Sequence, residues 1–315
     1  MRYGLIPWNE AKMKSIFLQA GQEIQTRKIA LGFFIISLSY IFGSFTIGLG
    51  CSKASICSFS NGLGRTPLNL LFVLLTFVPI WIGVWMAMKF IHRIPINVLL
   101  GSSSKLDLQL LLRGFLAMLF LGIGIETILQ FIPALSNYIY YEPNKILFLS
   151  AWVKWLLPII LFIFVQSAAE ELVFRGYLLQ IIWAKNSSYL YAVICPSLIF
   201  GLLHFDSQSY GFNAWYYCFN TFVVACLLCL VTLHTGNIAL AFGLHWGGNT
   251  VSLVFFGIHG NLDGMALWIT YIDPQSETMG VALLVSTFFI ILIYCLWALF
   301  YFGSFLPTFG VKEPK

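Results

Sequence analysis

Eight apolar stretches constrain this sequence more than any other feature. A helix needs about 20 apolar residues, at roughly 1.5 Å of rise each, to cross a hydrocarbon core of about 30 Å. The stretches that approach this length are residues 29–49, 69–90, 109–131, 149–168, 189–204, 214–233, 238–256 and 280–303. The fifth is short and could instead be re-entrant or tilted, which would leave seven spans. The sequence therefore predicts an all-α, polytopic integral membrane protein with about eight transmembrane helices.

The composition supports a membrane protein. The chain is 59% hydrophobic and only 9% charged, with a mean hydropathy of +0.87. Soluble domains carry about 25% charged residues, so this chain cannot cover a water-facing surface. These values exclude a soluble enzyme, a disordered protein and a nucleic-acid binder. The net charge of +5 is interpreted as cytoplasmic anchoring in a lipid bilayer rather than as affinity for a polyanion.

The distribution of Lys and Arg predicts the orientation of the chain, because these residues favour cytoplasmic segments. With the N-terminus inside, the segments on the cytoplasmic side contain twelve basic residues: Arg2, Lys12, Lys14, Arg27, Lys28, Lys89, Arg93, Lys105, Arg175, Lys185, Lys312 and Lys315. The opposite side has three, namely Lys53, Arg65 and Lys145. We expect both termini in the cytoplasm and location in the cell (plasma or inner) membrane. The first 28 residues contain charges and no signal-peptide pattern, so we expect them to be retained.

The seven cysteines do not indicate a redox or metal site. Cys226 and Cys229 form a C-x-x-C pattern, but apolar neighbours on a predicted membrane helix favour a packing role. Only Cys51 and Cys57 lie in a loop where a disulfide is conceivable, and the sequence leaves that pairing open.

Ionisable residues at membrane depth are the candidates for function, because a central charge costs about 2.5 to 3.5 kcal/mol on insertion scales. Apart from residues near the ends of loops and two cations placed where they can snorkel, the set is Glu126, Glu170, Glu171, Arg175, His204, His234 and His245. Their small number makes each one informative.

The first motif is E-E-L-V-F-R, from Glu170 to Arg175. Glu171 and Arg175 are four residues apart and share a helix face, so they can pair, whereas Glu170 points about 100° away. A carboxylate left in a low-dielectric setting has its pKa raised, which suits a general base. The alternative is an ion-paired helix end at the membrane interface.

Two further motifs follow on later spans. Phe200 and His204 lie one helical turn apart, as do His245 and Asn249, and Gly247 and Gly248 allow a close approach of another helix or a peptide. The alternatives are a solvated imidazole at a helix end, and ordinary small-residue packing with a polar pair between helices.

Taken together, the motifs indicate hydrolysis. Glu170, His204, His245 and Asn249 could line one water-accessible cavity and supply a base, a partner that orients water, and donors for an oxyanion. No H-E-x-x-H or G-x-S-x-G motif is present, although Glu170, His204 and His245 could bind a metal across helices.

In these residues the chain resembles the CPBP family of intramembrane proteases, which includes the CAAX prenyl endopeptidases and the bacterial Abi proteins linked to bacteriocin processing and self-immunity. The family pattern is E-E-x-x-x-R, then F-x-x-x-H, then H-x-x-x-N or D, on successive helices. Here Glu170, Glu171 and Arg175 match the first part, Phe200 and His204 the second, and His245 and Asn249 the third. The resemblance covers about residues 149–256.

The resemblance implies a glutamate-dependent endopeptidase without a metal or other cofactor, with zinc as the alternative. By this resemblance, Glu170 and His204 of this chain would activate water, and His245 and Asn249 would stabilise the oxyanion. Glu171, Arg175 and Phe200 would shape or support the site. The family's active site opens toward the cytoplasm, and a peptide or protein, possibly lipidated, would be the substrate.

The chain is then organised in four segments. Residues 1–28 form a cytoplasmic N-terminal segment, 29–148 the first three transmembrane helices, and 149–256 the catalytic helical core. Residues 257–315 form an extracytoplasmic loop, the last transmembrane helix and the C-terminal tail. The sequence indicates neither the substrate's identity nor the oligomeric state.

Two other classes of function compete with a protease. One is a non-catalytic membrane scaffold or bacteriocin-immunity protein that binds a peptide or a partner membrane protein, but no motif has been lost here. The other is a transporter in which buried Glu and His residues relay ions. No inverted repeat is apparent in the sequence.

Overall fold

The computed structural model describes residues 25–53, 64–129, 131, 140–145, 147–186 and 188–303. These residues form a helical bundle with a small sheet at one end. The α-helices are α1 (Thr26–Lys53), α2 (Pro67–Leu75), α3 (Val78–Met86), α4 (Leu108–Leu129), α5 (Leu149–Glu171), α6 (Leu179–Asn186), α7 (Tyr189–Leu202), α8 (Ser207–Tyr210), α9 (Ala214–Thr235), α10 (Ala239–Thr250) and α11 (Glu277–Phe302). The strands are β1 (Tyr141–Pro143), β2 (Phe256–Ile258) and β3 (Trp268–Thr270).

Short π-helical and 3₁₀ segments continue or join several of these helices. The π-helical segments are Ala87–His92, Leu172–Leu178 and Val251–Phe255, and the 3₁₀ segments are Ile96–Leu100 and Gly211–Asn213. All three π segments lengthen an α-helix, since they follow α3, α5 and α10 directly.

The protein is a multi-pass membrane protein. Six helical stretches in the described part of the chain are long and apolar enough to cross a bilayer: Thr26–Lys53, Pro67–His92, Leu108–Ile128, Leu149–Lys185, Ser207–Thr235 and Glu277–Phe302. The fifth and seventh predicted spans are also helical but shorter, because α7 has 14 residues and α10 has 12 before its π continuation. The count of eight and the N-in/C-in orientation therefore stay predictions.

The fourth helix is longer than the sequence predicts. The apolar run was expected to end at residue 168, but the rod continues through the π segment and α6 to Asn186. The charged motif that follows residue 168 lies inside the bundle, where Glu171 and Arg175 pair with each other. Arg175 is completely buried and so does not count as a cytoplasmic loop cation.

The all-α prediction requires a correction, since β1, β3 and β2 form a small sheet in that order. β3 pairs antiparallel with β1 and parallel with β2. Each strand has three residues, too few to produce an alternating pattern in the sequence. The sheet joins loops from distant parts of the chain, and an ion pair of 2.9 Å between Arg65 and Asp263 adds a further loop to the same end.

The opposite end of the bundle gathers the other loops. His92 Nε2 lies 2.8 Å from the Tyr177 hydroxyl, and Gln180 Nε2 donates to the Leu99 carbonyl at 2.8 Å. The Ser102 amide donates to the Gly236 carbonyl at 2.9 Å. We call this end the basic end, because the described residues Lys28, Lys89, Arg93, Lys105 and Lys185 belong to the predicted cytoplasmic segments there. The other we call the sheet end.

A large apolar core packs beside the charged motif. Its buried members include Leu99 and Phe174, and it also contains Phe200 and Ile238. Because lipid tails are as apolar as these side chains, the cluster stabilises the bundle by close van der Waals packing and not by removal of apolar surface from water. This cluster, together with the 3₁₀ segment that carries Leu99, covers the motif on the side of the basic end.

The cysteines agree with a packing role. Cys226 and Cys229 are free thiols, and Cys229 Sγ lies 3.6 Å from Ser197 Oγ in a small apolar cluster. The possible disulfide between Cys51 and Cys57 involves a residue, Cys57, that lies outside the described part of the chain.

Candidate active site

Glycines on α10 turn its polar residues toward α5. A Cβ atom at Gly243 would lie 2.1 Å from the Leu111 carbonyl oxygen, and one at Gly247 would lie 2.7 Å from the Phe115 carbonyl oxygen. Only glycine permits this backbone contact between α10 and α4. His245 and Asn249 each follow one of these glycines by two positions, about 200° around the helix, and therefore face away from α4.

The facing surface of α5 carries the first motif. Gln166 and Glu170 are one turn apart on this helix, and Glu171 is its last residue before the π segment. π-Helical turns occur frequently at functional sites. The side chains of all three residues are buried, with Glu170 at 9% exposure and Glu171 at 0%.

Glu171 and Arg175 form the ion pair that the helix period predicts. Arg175 Nη1 donates to Glu171 Oε1 at 2.9 Å, and neither side chain is exposed to solvent. The guanidinium group also donates to the Ala225 carbonyl at 3.4 Å and lies 5.1 Å from the centre of the Phe200 ring. The pair is therefore isolated from water and held in one arrangement by its neighbours.

His245 lies between the two adjacent glutamates. Its Nδ1 is 2.7 Å from Glu171 Oε1, and its Nε2 is 3.3 Å from Glu170 Oε2. Because Glu171 is ionised against Arg175, its carboxylate accepts and His245 Nδ1 donates. The second contact is within ion-pair distance but is not a hydrogen bond, since Glu170 Oε2 has no hydrogen-bond partner in the described structure. His245 is thus anchored at Nδ1 and loosely held at Nε2.

His204 follows the end of α7 and is fixed by its own backbone. Its Nδ1 is 2.8 Å from the Phe200 carbonyl oxygen, which can only accept, so Nδ1 carries the proton. In the neutral imidazole Nε2 is then an acceptor. The Phe200 ring packs against both histidines, with ring centres 4.5 Å from His204 and 6.1 Å from His245.

The structure brings the three motifs together but does not place every predicted pair in contact. Within the part of the chain that is described, the Glu170 carboxylate contacts His245 and not His204. A water molecule would have to join Glu170 to His204 if the two act as the resemblance implies. Whether the four residues line one water-filled cavity stays a prediction.

Asn249 is held by residues that sequence reasoning missed. Its Nδ2 donates to Gln166 Oε1 at 2.8 Å and, more weakly, to Ser167 Oγ at 3.4 Å. The position of Gln166, four residues before Glu170, is a signal that could have indicated it. Tyr40 and Tyr217 also lie within electrostatic range of Glu170, and no pattern in the sequence points to them.

The remaining ionisable residues have other surroundings. His234 Nε2 lies 3.1 Å from the Tyr294 hydroxyl, and its ring stacks on Phe302. Glu126 interacts with Tyr141, whose pKa is raised by burial and then by this carboxylate. Neither residue contacts the candidate site. In the described residues, no group of three or more His, Cys, Asp or Glu side chains is arranged to hold a metal ion.

Fold and site together define a multi-pass membrane protein in which α5, the end of α7 and α10 bring together two carboxylates, two imidazoles and a carboxamide. Residues 152–251 match the family model of Rce1-like type II CAAX prenyl endopeptidases, a group within the CPBP family. This segment contains all seven predicted site residues and confirms the resemblance over the helical core.

One curated relative resembles a larger part of the chain. It is "Uncharacterized protein YyaK" from Bacillus subtilis (strain 168), 29% identical over 174 residues. These residues are 55% of this chain and 56% of the relative, so the chain spans about half the length of that protein.

Proposed function

We propose that this protein is an intramembrane endopeptidase of the glutamic type, which hydrolyses a peptide bond with water activated by Glu170. The observation that carries the proposal is the buried arrangement of Glu170, Glu171 and His245 within a segment that matches an endopeptidase family. The substrate is a peptide or protein of the CAAX, leader or membrane-embedded kind.

In the proposed mechanism, Glu170 removes a proton from a water molecule that His204 Nε2 helps to orient. The resulting hydroxide attacks the scissile carbonyl carbon, and the carbonyl π electrons move to the oxygen. The C–N bond then breaks as the oxyanion collapses, and the proton held by Glu170 passes to the leaving amine. General base catalysis of this kind contributes roughly 10²- to 10⁴-fold.

The two contacts of His245 suit it to stabilise the oxyanion. Nδ1 is anchored by Glu171 at 2.7 Å, whereas Nε2 only approaches Glu170 at 3.3 Å. With a proton on Nε2 as well as on Nδ1, the His245 ring could donate to a carbonyl oxygen that develops negative charge beside Nε2, while Nδ1 stays anchored on Glu171. Asn249 would supply a second donor, as oxyanion sites usually do.

No cofactor takes part in the proposed reaction, because a carboxylate and an imidazole can activate water without a Lewis acid. Zinc is the alternative to this part of the proposal. Hydrolysis that stops with a strong chelator and returns with added zinc would favour the alternative.

The test is cleavage of fluorogenic peptides by the purified protein in detergent. Glu170→Gln should abolish turnover and leave the unfolding temperature unchanged, because the amide keeps the size of the side chain but cannot accept the proton. Glu126→Gln is the matched control, since it alters a carboxylate in α4 that lies outside the site. A wild-type protein that binds peptides without cleaving them would support the scaffold alternative.

We also propose that the site opens toward the cytoplasm, as the family resemblance implies. The predicted orientation of the chain, however, places the His204 side of the site away from the cytoplasm. His204 contacts Tyr217, which stacks on Tyr210, and Tyr210 accepts a hydrogen bond from Asn261 at the sheet end. With the N-terminus inside, the sheet end faces away from the cytoplasm. A cytoplasmic opening then requires either a path past the apolar core or the opposite orientation.

Cysteine accessibility separates these arrangements. Ser103 at the basic end and Ser207 at the sheet end are both exposed, so Ser103→Cys and Ser207→Cys should react from opposite sides of the membrane with an impermeant thiol reagent. Labelling of the Ser103→Cys variant from the cytoplasm would establish the predicted orientation. Labelling of Ser207→Cys from the cytoplasm would reverse it and place His204 toward the cytoplasm.

A further inference from the structure

Gln166 is a buried amide that connects α5 to α10 at the candidate site. It is 6% exposed and lies one helical turn before Glu170, on the same face of α5. Its Oε1 accepts hydrogen bonds from Asn249 Nδ2 at 2.8 Å and from Ser167 Oγ at 3.1 Å. A buried side chain with two such contacts is held in one orientation.

One N–H of the Asn249 amide faces Gln166. Its hydrogen bond to Gln166 Oε1 has a normal length of 2.8 Å, whereas Ser167 Oγ lies 3.4 Å from Asn249 Nδ2 and 3.1 Å from the same Oε1. These distances place the two oxygens about 60° apart as seen from Nδ2, but the two N–H bonds of a carboxamide diverge by about 120°, so both oxygens lie on the side of one N–H. The N–H that faces Gln166 fixes the plane and direction of the whole carboxamide, and the second N–H points away from Gln166 and Ser167.

We propose that Gln166 is the positioning residue for Asn249, an inference that rests on the proposed function. Gln166 retains one N–H of Asn249 throughout the reaction, which directs the second N–H at the developing oxyanion. Ser167 keeps its own hydrogen bond to Gln166 Oε1. The oxyanion site is thus preorganised by α5, the helix that also carries the base.

The first test compares two substitutions of Gln166. Gln166→Met has a similar shape but no acceptor, so Asn249 loses its orientation, and we expect kcat to fall by about 10²-fold, as for small misplacements of catalytic groups, with little change in KM. Gln166→Glu retains the acceptor oxygens and should recover most of that loss. It should also move the acidic limb of the kcat profile to higher pH, since a second carboxylate disfavours ionisation of Glu170.

A double-mutant cycle shows whether Gln166 acts through Asn249. Addition of Gln166→Met to Asn249→Ala should lower kcat no further than Asn249→Ala alone, to within about threefold. Losses that multiply, or a Gln166→Met protein with wild-type kcat, would overturn the inference. If Gln166→Met does not fold, Gln166→Asn takes its place, because the shorter amide is polar but does not reach Asn249.

Gln180→Met is the matched control. Gln180 lies on the same continuous rod and is also buried, and its amide donates to the Leu99 carbonyl and not to a residue of the candidate site. Gln180→Met should lower the unfolding temperature while leaving kcat near the wild-type value. If the wild-type protein cleaves no peptide, the proposed function fails, and the coupling of Gln166 to Asn249 is then tested by the same cycle in thermal unfolding. Additive shifts in unfolding temperature would overturn the contact itself.

Discussion

Glu171→Gln should destabilise the protein more than any other single Glu-to-Gln change at the site. In the folded protein Arg175 is 0% exposed, and Glu171 is its only anionic partner among the described residues. The substitution leaves the guanidinium with neutral partners: the amide oxygen of the new glutamine, the Ala225 carbonyl at 3.4 Å and the face of the Phe200 ring. None of them carries the negative charge of the carboxylate at 2.9 Å, so the cation stays buried without an anion.

Removal of one partner from a buried ion pair costs about 3 to 5 kcal/mol. Each kcal/mol corresponds to roughly 2 to 4 °C in unfolding temperature for 150–250 residues and to less for a longer chain, so at about 2 °C per kcal/mol we expect a fall of roughly 6 to 10 °C. The exposed pair of Glu142 with Lys145 has a similar length, 3.0 Å. Glu142→Gln is therefore the matched control and should leave the unfolding temperature unchanged, because exposed pairs contribute little.

Thermal unfolding in detergent, followed by tryptophan fluorescence, measures both variants under the same conditions. The double variant Glu171→Gln with Arg175→Met should recover part of the loss, since it removes the buried cation together with its partner. A Glu171→Gln protein as stable as Glu142→Gln would refute the reasoning. It would show that Arg175 is neutralised by another group or is reached by water.

Three further outcomes are expected. Peptide cleavage should survive strong chelators, measured with and without added zinc, and zinc-dependent recovery would count against the metal-independent mechanism. Gly243→Ala should lower the unfolding temperature or expression sharply, because its Cβ would lie 2.1 Å from a carbonyl oxygen of α4, whereas Gly48→Ala, with nothing within 4 Å, should be neutral. At Asp206, which caps α8, burial raises the pKa, but hydrogen bonds from Ser209 and Gln208 outweigh it and hold the pKa below its usual range. The folded state therefore gains stability above the unfolded pKa of Asp206 and loses it as the pH falls through the lower folded value, which hydrogen exchange of α8 between neutral and strongly acidic pH should show.

The local features of the site were predictable from the helix period. Glu171 and Arg175 are four residues apart, which already placed them on one face, and the structure contains that pair at 2.9 Å. Long apolar runs likewise predicted the six stretches that can span a bilayer. These signals are short in range, because they depend only on spacing within one helix.

Contacts between helices were not predictable in the same way. His245 lies 74 residues after Glu171, and no spacing in the sequence indicates that its ring is placed between two adjacent glutamates. The hydrogen bond from Asn249 to Gln166 spans 83 residues and has no sequence signature either. These contacts depend on how α10 packs on α4 and α5, which the glycines of α10 permit but do not specify uniquely.

The fourth helix shows why the depth of the site was harder to predict than its residues. A run of charges after an apolar stretch is normally interpreted as the membrane interface, because an unpaired charge is costly in hydrocarbon. Here Glu171 compensates Arg175, so the rod continues for 15 residues beyond the glutamate, to Asn186.

A charged motif of this kind does not indicate on which side of the membrane it lies. Its charges can be buried because they pair with each other, so they need not lie at the membrane interface. The basic residues of the loops carry that information instead. They predict that the basic end lies in the cytoplasm, whereas His204 connects through Tyr217 and Tyr210 to the sheet end. The direction from which a substrate reaches Glu170 is thus a property of the bundle rather than of the motifs, and labelling at the two ends of the bundle addresses it independently of any peptidase assay.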